Sequence, residues 1–286
     1  MKKLITILNL EIPSGRALNA SAHTVLGMGH RVPESKMPNI YVFLGTKDLM
    51  REFRSAAYKI YVDNTESVLY ADFTSTMVGG TTDEQLLKTS NTQESEIEYY
   101  SVSICADDVM LRVLEPILVK LTLLENYNPQ INSSTESIFE FLPKSELLDN
   151  HDPRYTEYST HKAVLVFNKK QNIDEIVNPM VVACLDVGQR AKLMALHLLR
   201  YVDASGSEHP NISYHAFPIL TAKNQGKLDT IAFEVKDNKD VISRTVSGVA
   251  DTVSVVCAFG EAAIINSYTK QFSLWTREIT QEECLK

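Results

Sequence analysis

Residues 3–31, KLITILNLEIPSGRALNASAHTVLGMGHR, and residues 162–190, KAVLVFNKKQNIDEIVNPMVVACLDVGQR, read as one unit written twice. At an offset of 159 positions, with no gap, Lys3, Asn9, Asn19, Leu26, Gly29 and Arg31 fall on Lys162, Asn168, Asn178, Leu185, Gly188 and Arg190. Each copy begins as an apolar run that ends in Asn, passes through a polar loop, and continues as an apolar helical run that closes on Gly. A repeat of this length reports architecture first: two similar bodies on one chain.

The length supports that division, because 286 residues suit two domains and a connecting segment, each domain large enough for its own core. The expected boundaries are a first domain over residues 1–125, a connector over 126–160 and a second domain over 161–286. The segment 125–160 is rich in Asn, Ser, Pro and charge, and only Ile138–Leu142 (IFEFL) is apolar enough to dock on a domain.

In the first copy, Lys3–Leu8 has the β-branched, apolar character of a central strand. The loop Glu11–Gly15 breaks it, and a helix is expected over Arg16–Met28, with Gly29 where it stops. Strands are expected at Asn39–Leu44 and Ala57–Val62, and Thr81-Thr82-Asp83-Glu84 has the spacing of a capping box for a helix to about Lys88. A buried strand at Ser101–Ala106, a short helix at Asp107–Leu114 and a strand at Ile117–Leu124 complete the copy. The second copy repeats the order: strand Ala163–Phe167, helix Val177–Val187, strand Phe217–Leu220, a helix capped by Asn238 through Arg244, and strands at Val253–Ala258 and Phe272–Arg277. Strands alternating with helices point to α/β architecture. Some connections are too short for crossovers, so the sheets are mixed; the expectation is two tandem three-layer α/β/α domains.

Composition narrows the function classes. The chain is 44% hydrophobic and 22% charged, and no apolar run approaches a membrane span. MKKLITILNLEIPSG reads as a strand rather than a leader, since Asn9 and Glu11 interrupt its apolar stretch. A net charge of −8 argues against a broad nucleic-acid footprint. Cys105, Cys184, Cys257 and Cys284 form no CxxC pair and have no His at ligand spacing, so neither a zinc site nor a redox dithiol is indicated and a cytoplasmic location is expected. Cys105 in VSICA and Cys257 in SVVCA read as matching core positions of the two copies. No metal, cofactor, nucleophile elbow or phosphate-binding glycine loop is indicated.

The passage IPSGRALNASAHTVLGMG, followed much later by a strand, a short helix and a strand, resembles a family of small uncharacterised bacterial domains related to peptidyl-tRNA hydrolase type II. In that hydrolase a Gly-Lys pair opens the first helix and a His follows the Lys by seven residues, in a pattern of the form GKxAAQxxHA. Here Gly15 and Arg16 take the Gly-Lys places, and His23 follows Arg16 by seven. The resemblance implies a peptidyl-tRNA hydrolase type II-like fold for both copies, with Arg16 and His23 as candidate catalytic residues; beside them Gly15, Asn19 and Asn9 are candidate ligand contacts. Arg does not replace a Lys that acts as acid or base, because it keeps its proton. It can still grip a phosphate or carboxylate in a bidentate contact beside the free N–H groups of a helix start. The matching second-copy positions are Asp174, Glu175 and Val182, so cation and His are both absent there.

Each candidate has a plain structural reading beside the functional one. Asn9 and Asn168 can bond the turn backbone. Asn19 and Asn178 can tie a helix to its neighbouring loop, His23 can be a packed helix histidine, and Arg16 a surface cation. Besides a nucleic-acid-binding module, which the net charge disfavours, two function classes remain open from sequence. One is a two-lobed protein that binds an unknown protein or small-molecule partner without catalysis, monomeric and paired internally about a pseudo-two-fold axis. The other is a hydrolase of an ester-linked substrate such as peptidyl-tRNA, working through the first domain alone.

Overall fold

Ile5 and Ile7 point to one side of the first strand while Leu4 and Leu8 point to the other, and all four are buried. That double burial is why the strand reads as a continuous apolar run rather than an alternation. The computed structural model of the chain describes residues 1–12, 14–34, 36–74, 98–127, 139–143, 161–168, 170–171, 173–192, 219–247 and 252–274.

The first half contains β1 (Lys2–Asn9), α1 (Ser14–Gly29), β2 (Asn39–Gly45), α2 (Lys47–Asp63), β3 (Leu69–Thr74), β4 (Tyr99–Asp107), α3 (Asp108–Leu111), a 3-10 turn (Arg112–Leu114), α4 (Glu115–Leu118) and β5 (Thr122–Tyr127). The second contains β6 (His161–Asn168), α5 (Ile173–Ala191), β7 (Ile219–Ala222), α6 (Gln225–Lys236), β8 (Val241–Ser247), β9 (Val253–Glu261), α7 (Ala262–Thr269) and β10 (Ser273–Leu274). The first sheet runs β5-β2-β1-β4-β3 and the second β10-β7-β6-β9-β8. In each, one central pair is parallel, β1 with β2 and β6 with β7, and the other pairs are antiparallel. The chain is therefore a mixed α/β protein with two mixed sheets.

The registers agree in detail as well as in order. Thr6 lies opposite Ser103 and, 159 positions on, Leu165 lies opposite Cys257. A register shift falls at Phe73/Thr74 in β3 and at Val246/Ser247 in β8, the corresponding point of the second sheet. This pairing also corrects the cysteine match expected from sequence. Cys105 lies opposite Leu4, and its counterpart opposite Ala163 is Phe259, so Cys257 stands where the first half has Ser103.

Helices cover both faces of each sheet. On the outer sides, α2, α3 and α4 close a core with Ile5, Ile7, Val102 and Ile104, while α6 and α7 close one with Val164, Val166, Val256 and Ala258. The inner faces share a single core in which α1 and α5 lie together between the sheets. Helix α1 packs on β4, β3 and β1 and reaches β7; α5 packs on β9 and β8 and crosses to β2 and β5. Each inner sheet face is thus covered partly by the other half's helix.

The helices cross at glycines. A Cβ on Gly29 would stand 2.7 Å from the carbonyl oxygen of Leu185, and one on Gly188 would press into the carbonyl of Leu26. Only glycine lets two backbones approach this closely.

Of the apolar stretch Ile138–Leu142, Phe139 and Phe141 are buried in the inner core, while Ile138 lies outside the described residues. The backbone N–H of Leu142 donates to the carbonyl of Arg31, and the Arg31 side chain returns a bond to Leu142 O at 2.9 Å. Lys2 sits 4.5 Å from the Phe141 ring centre.

Several element expectations change. Ala57–Val62 is the end of α2, whose Met50, Phe53 and Ala57 repeat at helical spacing and are buried; the dense β-branched and aromatic ending KIYV imitates a strand. Residues 115–118 are helical with Pro116 in the first turn, so β5 starts at Thr122. The stretch after Asn238 is a strand, and the helix lies earlier, in α6. The Asn238 side chain instead accepts from Asp240 N at 2.9 Å, shaping the turn into β8. The helix expected from Thr81 lies outside the described residues. Among the described residues no helix is long and apolar enough to cross a membrane.

Candidate binding site at the mouth of the first helix

Strands β1 and β2 run parallel, so the loops after their carboxyl ends lie side by side, and both lead into helix starts. This edge of a sheet is where α/β folds place ligands. Asn9, fully buried, shapes the first loop: its Oδ1 accepts from Glu11 N at 2.8 Å and its Nδ2 donates to Tyr99 O at 2.8 Å. Glu11 then accepts from Lys47 N at 2.9 Å, capping α2 from the neighbouring loop. The side chain of Asn9 is thereby committed to the turn.

On α1, Gly15 is partly exposed, Arg16 is exposed and Asn19 is half-buried. Arg16 makes no ion pair or hydrogen bond among the described residues. His23 shares the Arg16 stripe two turns on, as its spacing requires, yet only 6% of it is exposed. Its ring lies 5.2 Å from that of Phe73 on β3, and Ala20, Phe73, Tyr100 and Ile12 form a small apolar cluster beside it. The helix therefore presents the cation and packs the imidazole.

The second half builds the same turn with other means. Asn168 Oδ1 accepts from Lys170 N at 3.1 Å, the counterpart of the Asn9 turn. Asn9 bonds Tyr99 O directly, whereas Asn168 donates to Gln225 at 3.0 Å and Gln225 donates onward to Val253 O at 2.8 Å. Val253 occupies the register position of Tyr99. At the helix mouth Glu175 is exposed and Val182 is buried.

Two polar groupings in the first half are invisible in the linear sequence. Beneath α1, Thr24 Oγ1 lies 2.9 Å from Ser103 Oγ and 3.5 Å from Ser101 Oγ, and Ser103 also bonds Thr6. All are buried, as is Ser21, whose hydroxyl has no partner among the described residues. The corresponding second-half residues are Ala183, Cys257, Val255, Leu165 and Met180, an apolar set. On the outer face, Asp72 accepts from Arg54 at 3.2 Å and from Tyr70 at 2.6 Å. The Arg54 guanidinium lies 4.6 Å from the Tyr58 ring centre and 5.4 Å from that of Tyr99. Burial works against the Arg54 charge, but Tyr70, Tyr99 and Asp72 outweigh it and raise its pKa. Burial, reinforced by the Asp72 carboxylate, pushes the Tyr70 phenol far above its ordinary range. Ser243, Thr245 and Val253 stand at the places of Tyr70, Asp72 and Tyr99 in the second half.

Lys162 is the counterpart of Lys3 but is buried, with 1% exposure, and donates to Asn266 at 2.5 Å. Lys3 pairs instead with Asp108. Burial pushes the Lys162 ammonium down to about 8. The thiols of Cys105 and Cys184 are buried, and burial raises both above the range in which a thiolate forms. Among the described residues no group of three or more His, Cys, Asp or Glu could hold a metal ion.

A family model described as a protein of unknown function (DUF2000) matches residues 161–253, which lie in the second half of the chain. A solved structure of a protein of unknown function from Agrobacterium tumefaciens strain C58 is similar at 12% identity, over 43% of this chain and 96% of that one, with a TM-score of 0.32. No curated protein matches the chain. The family match thus falls on the half that lacks Arg16 and His23.

Proposed function

We propose that the chain is a two-lobed, non-catalytic binding protein formed by tandem duplication of a peptidyl-tRNA hydrolase type II-like domain. The lobes correspond to residues 1–125 and 161–286, with the anchored connector between them. The equal strand orders, the shared register shift and the pairing of Gly29 with Gly188 support the duplication. The binding site is the mouth of α1, where Gly15, Arg16 and Asn19 meet an unknown protein or small-molecule partner, and Asn9 holds the loop in shape.

One observation carries the non-catalytic reading: Arg16 is presented to solvent while His23, two turns along the same stripe, is packed under Phe73. A guanidinium that keeps its proton and an imidazole removed from solvent make an anion grip rather than an acid–base pair. The natural ligand is an anion, a phosphate or carboxylate group of the partner. Titration calorimetry with inorganic phosphate and with acetylated acidic peptides tests this, with binding by the wild type and its loss in Arg16→Ala as the expected result. Steady hydrolysis of peptidyl-tRNA that disappears in His23→Ala overturns it in favour of a first-lobe hydrolase.

A further inference from the structure

We propose that the inner face of each lobe is a docking surface for a lobe of the same kind, so that two copies of this chain can exchange lobes and form a dimer. This rests on the reading of the chain as two like lobes. The contact at its centre is reciprocal: the backbone at Leu26 meets Gly188, and the backbone at Leu185 meets Gly29. Contacts in which residue i meets j and the counterpart of i meets the counterpart of j are the mark of a two-fold, self-complementary interface. The helices extend the reciprocity, α1 reaching β7 and α5 reaching β2. The buried face is continuous, since residues of both sheets and both helices belong to one inner core. A lobe whose partner is removed leaves this surface bare, and the surface that fits it best is another lobe.

Polar contacts specify first-with-second pairing. Gln189 on α5 donates to Lys36 O at 2.6 Å and to Pro33 O at 3.4 Å, and Lys192 lies 3.8 Å from Glu34. His30, the counterpart of Gln189, instead bonds Gly27 O within its own lobe. An exchanged dimer keeps these contacts by seating the second lobe of one copy on the first lobe of the other. The 17 residues between Pro143 and His161 can span at most about 60 Å.

Competition between the routes is set by effective concentration, of the order of 1 mM for a linker of this kind. Chains refolded at 10 µM should therefore pair within themselves, with roughly 1% exchanged, while chains refolded near 0.5 mM should yield tens of per cent dimer. The test refolds a mixture of 15N-labelled and unlabelled full chains from guanidinium across that range. A protease recognition sequence replaces residues within 144–160, and light scattering reads the mass before and after cutting. An exchanged dimer has twice the 32.1 kDa chain mass and falls to single-chain mass on cutting, each product holding one labelled and one unlabelled lobe in half of the cases.

Absence of dimer at every concentration overturns the inference, and so does a dimer that keeps its size after cutting. The uncut monomer separates that failure from failure of the underlying reading. If its two fragments stay together after cutting, the two-lobe interface stands and only exchange is refuted. If they separate and unfold one at a time at different denaturant concentrations, the shared interface itself is refuted.

Discussion

Gly29 and Gly188 touch at the crossing of α1 and α5, and each is the residue reached from the other by a step of 159 positions. The Cβ that alanine would add at Gly188 meets a backbone carbonyl, which has little freedom to yield, rather than the end of a flexible side chain. Gly188→Ala should lower stability by about 2–3 kcal/mol, a fall in Tm of roughly 3–5 °C for a chain of 286 residues. Adding Gly29→Ala should cost less than its single effect, because both changes part the same two helices. Urea unfolding of the two single variants and the double variant measures this.

Lys162 should make stability depend on pH in the alkaline range. Its folded pKa is about 8, below the unfolded value of roughly 10.4. Between those limits the unfolded chain holds the proton more tightly, so stability rises with pH through the window and is lowest below it. Lys162→Met should remove that rise and stabilise the protein at pH 7 by roughly 1–3 kcal/mol. Guanidinium midpoints from pH 7 to 10.5 would show the gap between variant and parent closing as pH rises, the difference cancelling the groups the two proteins share, such as the buried Cys105 and Cys184 thiols.

Asp72 receives both Arg54 and Tyr70 on one oxygen, Oδ2. Asp72→Asn should loosen α2 from β3 at a cost of about 1–3 kcal/mol. It should also bring the Tyr70 ionisation down, while leaving it above the usual tyrosine range because burial is the larger cause. Ultraviolet titration of the twelve tyrosines, with Tyr70→Phe to assign the last to ionise, reads both effects.

Beneath α1 the hydroxyls of Thr6, Thr24 and Ser103 bond one another, so removing one member strands the others. Thr24→Ala should cost about 1–2 kcal/mol. Combining it with Thr6→Val and Ser103→Ala should cost less than the three single changes added together, since donors and acceptors then leave in company. Thermal unfolding of the four variants gives the comparison.

Arg31 ties three segments with one guanidinium, donating to Leu142 O at 2.9 Å, Thr65 O at 3.1 Å and Glu66 O at 2.8 Å. Lysine cannot reproduce that fork. Arg31→Lys should cost about 2 kcal/mol, and hydrogen exchange should speed up at Leu142 before it does in the sheets.

The buried central strands and the two helices between the sheets were legible because their apolar runs are long. The outer helices were not. In α2 the residues IYV supply strand-like density at the end of a helix, and only the buried Met50, Phe53 and Ala57 reveal the period. For α6 the Asn238 signal was real but belonged to a turn, while the actual cap, Asn224, accepts from Lys227 N at 3.1 Å. The resemblance to the hydrolase motif brought Arg16 and His23 together as a pair, but a motif cannot say that one is presented and the other covered. The Thr6, Thr24 and Ser103 grouping joins three elements, so it emerges only once the register of β1 against β4 is known. The same register moved the partner of Cys257 from Cys105 to Ser103.

The common inner core also sets an order of events during synthesis. The first sheet is complete once residue 127 has emerged, but α5, which covers part of its inner face, ends only at residue 191. At ribosomal speeds of 5–20 residues per second, the nascent chain spends roughly 3–13 s with that oily surface open to chaperones and to neighbouring polypeptides. Among the described residues that follow the first sheet, Phe139 and Phe141 are the earliest to join that core, which makes the strap they belong to a built-in nursemaid for the unfinished protein.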